Sequence, residues 1–196
     1  MRIALLGDSH STVLFPYLAP KLEAAGHQVV AQEKHSGWGV KTYLKNNTVP
    51  NTLTGVAPDL VVVELGGNNT NFNTESYRDE MALLLAQLKA VGAKKVLWFG
   101  PATSDPNIDS YTANRHDKTA VLQAQLLPAM GVKWIDSRPA TLTGQRSDGV
   151  HFTTSAYHHW GDFMYDHTLE NMSLFNWWWL TAGTLSLMAL YWGMRR

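Results

Sequence analysis

The sequence predicts an α/β protein, a three-layer α/β/α sandwich on a five-stranded parallel sheet, followed by a C-terminal transmembrane helix. Three observations lead there. Apolar strand-like runs alternate with helical segments through the first 170 residues. Leu60 to Leu65 (LVVVEL) is almost wholly apolar, as in a strand covered on both faces. From Asn171 to Met194 about 24 residues pass without a charge, enough as a helix to cross a hydrocarbon core of roughly 30 Å.

Arg2 to Asp8 (RIALLGD) reads as the first strand. Thr12 to Ala25 follows as a helix interrupted by Pro16 and Pro20 and closed by Gly26. HQVVAQE is the second strand and LVVVEL the third. Ser76 to Val91 is a strong helix, with Met81, Leu84, Leu85 and Leu88 at helical spacing. KKVLWFG is the fourth strand, Lys118 to Met130 a helix with Pro128 near its end, VKWID the fifth strand, and Thr154 to Glu170 the last helix. No internal repeat or second globular domain appears, so residues 1–170 form one domain and 171–196 an anchor.

Within the tail, Trp177, Trp178 and Trp179 lie near one end and Tyr191 and Trp192 near the other, followed by Arg195 and Arg196. Aromatic belts closed by a basic pair suit a single-pass membrane segment over 174–194. Asn176, Thr181, Thr184 and Ser186 keep a buried amphipathic helix as the other reading. Only four apolar residues follow Arg2 before Gly7, too few for a signal-peptide core. The expected location is therefore a membrane, with the domain on the cytoplasmic side of synthesis; a virion or other membrane is also compatible. Net charge is zero, which gives no reason to expect a nucleic-acid partner. The absence of cysteine excludes thiolate catalysis, disulfides and Cys-based zinc sites.

Parallel sheets bind ligands beyond the carboxyl ends of their strands. Those ends read GDSH, SGWG, GGNN and SDGVH. Gly-Asp-Ser alone is also what ends a strand and caps a helix. A serine nucleophile needs a base, and the base needs a third group to hold its tautomer. Asp148 and His151 are spaced to supply both. Acyl transfer further needs donors for the developing oxyanion, and the Ser9 amide, a glycine amide of SGWG and the Asn68 side chain are candidates.

The four blocks GDSH, SGWG, ELGGNN and DGVH, in this order, resemble those of the SGNH, or GDSL-type, hydrolases. VVVELGGNN is similar to the third block of the bacterial thioesterase, lysophospholipase and acetylesterase branch. The resemblance covers about the first 170 residues and implies a flavodoxin-like fold without cofactor or metal. By position it implies Ser9 as nucleophile, His151 as base, Asp148 as its orienter, and Ser9, Gly37 and Asn68 as the oxyanion hole, with Gly39 the alternative to Gly37. One departure stands out: Asn69 occupies a position that is commonly aspartate, where hydrogen bonds support the loop.

Other residues have plainer readings beside functional ones. Glu64, among valines, reads as a buried carboxylate with partners. His10 is either a substrate contact or solvent-exposed, and Trp38, Asn69 and Tyr43 are either near the substrate or packed. His158 and His159 are adjacent on a helix and so diverge, which argues against a shared metal. The expected activity is serine ester hydrolysis of short acyl groups, O-acetyl on a carbohydrate foremost. Lysophospholipase or thioesterase activity on a lipid or other small-molecule ester is the alternative within enzymes, and a non-catalytic membrane-attached module the alternative outside them.

Overall fold

In a computed structural model of the chain, β1 (Arg2–Gly7), β2 (Gln28–Lys34), β3 (Leu60–Glu64), β4 (Lys95–Phe99) and β5 (Lys133–Ile135) form one parallel sheet in the order β2-β1-β3-β4-β5. The structure describes residues 1–105, 108, 110–146 and 148–172. Side chains alternate across the strands, so Ile3, Leu5, Leu60 and Val62 enter one core while Ala4, Leu6, Val61 and Val63 enter the other. All eight are essentially inaccessible. Each such side chain contributes about 1.5 to 3 kcal/mol relative to exposure, alanine much less.

The first core is closed by α1 (Ser11–Ala24) and by a last helix, α7, described over 154–172. The second is closed by α2 (Val40–Lys45), α3 (Thr48–Leu53), α4 (Thr74–Ala90) and α5 (Ser110–Ala129). A four-residue helix, α6 (Arg138–Thr141), follows β5. This is the expected three-layer sandwich, with order reversing between β1 and β3.

Several boundaries differ from the sequence reading, for physical reasons. α1 runs through Pro16 and Pro20 without interruption. Both prolines are on its exposed side, where the carbonyls they leave unbonded can reach water. α5 starts at Ser110, eight residues before the expected Lys118, because tertiary contacts support its polar first turns: His116 and Thr119 are buried. α2 and α3 are too short to persist alone and owe their helicity to Tyr43, Val49 and Leu53, all fully buried. Among the described residues no helix is long and apolar enough to cross a membrane. The segment expected to do so, 174–194, lies outside them.

Candidate active site

The site forms at the switch point between β1 and β3. β1 must end in glycine there, since a Cβ on Gly7 would overlap Ser11 Oγ and approach Phe15 Cζ to 2.9 Å. The absence of a side chain lets α1 start directly over the strand end. Ser9 sits in that turn, its carbonyl accepting from the Thr12 N–H at 3.2 Å and the Thr12 hydroxyl at 2.7 Å. Its hydroxyl, 142 positions from His151 in sequence, lies 3.0 Å from His151 Nε2. His151 Nδ1 in turn lies 2.7 Å from Asp148 Oδ2. A carboxylate only accepts, so Nδ1 carries the proton and Nε2 is left to accept from Ser9.

Asp148 is anchored by its own turn. Its Oδ1 accepts from the backbone N–H of Val150 at 3.0 Å and of His151 at 2.7 Å. The His151 side chain and these backbone donors hold the carboxyl down at about pKa 2. Side-chain exposures of 41% for His151 and 55% for Asp148 make this an open cleft.

Asn68 stands at the end of β3, its Nδ2 donating to Asp8 Oδ2 at 3.3 Å and to the Trp38 carbonyl at 3.4 Å. The two glycines of SGWG have different surroundings. Gly37 is an exposed turn residue with φ +77°, and a Cβ built on it would meet nothing. Gly39 is buried at the start of α2, and a Cβ there would lie 3.2 Å from the Asn68 carbonyl oxygen. The glycine that packs on Asn68 is therefore Gly39; Gly37, the oxyanion donor of the sequence reading, stands two positions before it on an exposed turn.

The profile of the GDSL-like lipase/acylhydrolase family matches residues 6–159. The chain belongs to this family. It is thus a carboxylic ester hydrolase of the GDSL type. No curated protein matches it in sequence. Among solved structures it is similar in fold to a lipase/acylhydrolase from Enterococcus faecalis, with 21% identity and a TM-score of 0.67 over 85% of this chain and 94% of the other. It is also similar to a catalytic mutant of an acetylxylan esterase from Geobacillus stearothermophilus, with 16% identity and a TM-score of 0.66 over 82% and 90%. A third similar structure is a putative acylhydrolase from Bacteroides fragilis, with 16% identity and a TM-score of 0.64 over 87% of each chain.

This GDSL acylhydrolase holds a polar cluster directly beneath Ser9. Asp8 and Glu64 are both fully buried and hydrogen-bonded to each other. Asp8 also accepts from the His10 N–H at 3.0 Å, and Glu64 Oε2 from the Ser11 hydroxyl at 2.8 Å. Burial raises the Asp8 carboxyl to about pKa 6 against these hydrogen bonds, and burial together with the Asp8 charge raises Glu64 well above the usual range. His116 Nδ1 donates to the Ala102 carbonyl at 2.8 Å, leaving a buried Nε2 without a partner among the described residues. Sequence reasoning singled out Glu64 but missed Asp8 and His116. Asp8 shows only as part of GDS, and His116 lies in a polar run with no apolar pattern to mark it as interior.

The remaining residues of the GDSL site are mostly structural in their contacts. His10 is only 2% exposed, which overturns its reading as a solvent-exposed side chain. Its ring lies among Phe152, Tyr157 and Trp160, with the Tyr157 hydroxyl hydrogen-bonded to Nδ1 at 2.9 Å. Burial lowers its pKa to about 3, so it is neutral. Trp38 stacks on His35 at 3.9 Å and meets Tyr43 edge-on, and Tyr43 donates to the Gly7 carbonyl at 2.7 Å. Asn69 accepts from the Asn71 N–H at 3.0 Å and donates to the Asn71 carbonyl at 2.9 Å and to Thr119 Oγ1 at 3.2 Å. His158 stacks on Tyr17 at 4.1 Å, and His159 is exposed on the next position.

Proposed function

We propose that this acylhydrolase is a serine esterase that removes short acyl groups, O-acetyl foremost, from carbohydrate hydroxyls, using Ser9, His151 and Asp148. The observation that carries the reading is the continuous hydrogen-bond line from Ser9 Oγ through His151 to Asp148, at 3.0 Å and 2.7 Å. His151 Nε2 takes the hydroxyl proton as Ser9 Oγ bonds to the ester carbon, and the carbonyl π electrons move to its oxygen. Ionised Asp148 stabilises the imidazolium. Collapse of the tetrahedral species breaks the bond to the alcohol oxygen, which leaves with the proton from His151. Water, deprotonated by His151, then cleaves the acyl-enzyme and regenerates Ser9.

The backbone N–H groups of Ser9 and Gly39 are the donors assigned to the oxyanion, together with the Asn68 amide once it releases its 3.4 Å bond to the Trp38 carbonyl. Gly39 replaces Gly37 in that role because it packs on Asn68. A donor in a water-poor hole is worth about 3 to 4 kcal/mol in rate. The exposure of Asp148 and His151 favours small acyl groups, since the cleft offers little cover to a long chain. Acetylxylan esterases share the fold, which fits a carbohydrate O-acetyl substrate. The uncharged segment 174–194 is assigned as a single-pass anchor on its length and aromatic ends, with the domain on the cytoplasmic side.

The test compares the wild type with Ser9→Ala and His151→Ala on acetyl and long-chain p-nitrophenyl esters. The expected result is acetyl turnover that falls about 10⁴- to 10⁶-fold in either variant. Unchanged turnover in pure Ser9→Ala, or preference for the long chain, would overturn the corresponding part.

A further inference from the structure

α7 starts three residues beyond His151 and is described as far as Met172. At 1.5 Å per residue its roughly 19 described residues span about 28 Å. Met172 and Asn171 line one cavity with Met1, Leu60, Lys95 and Lys133. Met1 precedes β1, and the other three are the first residues of β3, β4 and β5. By Met172 the chain has therefore reached the N-terminal edge of the sheet, while Ser9 and Asn68 follow the C-terminal ends of β1 and β3.

The N-terminal edge is also basic. Lys89 and Lys94 line the same cavity, giving it four lysines and no carboxylate among its lining residues. Asp59 pairs with Lys94 at 2.7 Å, and Glu170 stands one position before Asn171. Lysines beside the start of a long uncharged segment suit the phosphates of membrane headgroups.

We propose that the N-terminal edge of the sheet, with its ring of lysines, faces the membrane surface, and that the Ser9 cleft opens away from it onto esters carried by water-exposed molecules. Bilayer phospholipid is thereby excluded as substrate. This rests on the anchor reading of 174–194 and, for the substrate, on the esterase reading. A lipid ester lies just beneath the headgroups, so reaching a cleft about 28 Å away would require withdrawing the lipid's apolar chains into water.

The test uses the full chain in vesicles of phosphatidylcholine and phosphatidylserine. The sequence contains no cysteine, so Ala90→Cys, at the exposed end of α4, and Leu142→Cys, 68% exposed after α6, each accept one fluorophore. Energy transfer to a rhodamine headgroup lipid should quench the label at 90 several-fold more than the label at 142. Equal quenching, or the reverse, overturns the orientation. On the same vesicles a soluble acetyl ester should turn over while the phospholipid releases no fatty acid; comparable release overturns the substrate assignment. A chain that fails to float with vesicles overturns the anchor and the orientation together. Loss of soluble-ester turnover with the quenching pattern intact overturns the esterase reading and supports the orientation.

Discussion

The carboxyls of Asp8, one residue before Ser9, and of Glu64 are hydrogen-bonded to each other, with both side chains cut off from solvent. Asp8 is the first of the two to carry a negative charge as pH rises. That charge accepts from the His10 backbone and from the Asn68 amide, and so ties the turn carrying Ser9 to the loop carrying Asn68.

This pair makes stability depend on pH. Asp8 has a pKa of about 6 in the folded protein against 3.8 ordinarily, so the native state holds a proton that the unfolded chain has released. Its contribution is fully present below about pH 4 and is lost as pH rises through about 6. Urea midpoints should show this fall in the wild type relative to Asp8→Asn, with the difference between the two proteins levelling off above pH 7.

His10 acts with the opposite sign. Its imidazole is neutral in the fold, with a pKa of about 3 against 6.5 ordinarily, so the unfolded chain takes up a proton first. Stability is present above about pH 6.5 and is lost as pH falls towards 3. His10→Phe should remove that loss while costing about 1 to 3 kcal/mol for the hydrogen bond to the Tyr157 hydroxyl that it deletes. Melting temperatures at pH 5 and pH 8 should lie closer together in the variant.

The two glycines of SGWG separate stability from rate. Gly37→Ala strains a backbone at φ +77° and should cost about 1 to 2 kcal/mol of stability, with kcat nearly unchanged. Gly39→Ala presses a methyl group on the Asn68 backbone and should lower kcat at least tenfold with little change in KM. Denaturant melts and steady-state kinetics on an acetyl ester read both effects.

Asn69→Asp restores the commoner family residue and should nevertheless destabilise this chain. The Asn69 amide donates to the Asn71 carbonyl and to Thr119, whose hydroxyl itself donates to the Arg115 carbonyl. A carboxylate would face the Asn71 carbonyl without a proton to offer, at a cost of about 1 to 3 kcal/mol. A urea midpoint equal to the wild type would refute this account of the loop.

The strands and long helices are legible in the sequence because burial on both sides leaves runs such as LVVVEL, and burial on one side leaves the spacing of Met81, Leu84 and Leu88. Short α2 and α3 are not, since their helicity depends on Tyr43, Val49 and Leu53 finding a core that only the folded chain supplies. The same division holds in the site. Strand ends mark where Ser9, Asn68 and His151 lie in the chain, but no local pattern shows that Asp8 will meet Glu64, that His10 will be enclosed by rings, or that Gly39 will be the glycine touching Asn68.

The two ends of the Ser9–His151 hydrogen bond are supplied by opposite ends of the domain. If, as proposed, this pair turns the ester over, no N-terminal fragment short of residue 151 has ester turnover. A nascent chain stays chemically silent on the ribosome until almost the whole domain has emerged and closed, and the appearance of activity dates the completion of folding.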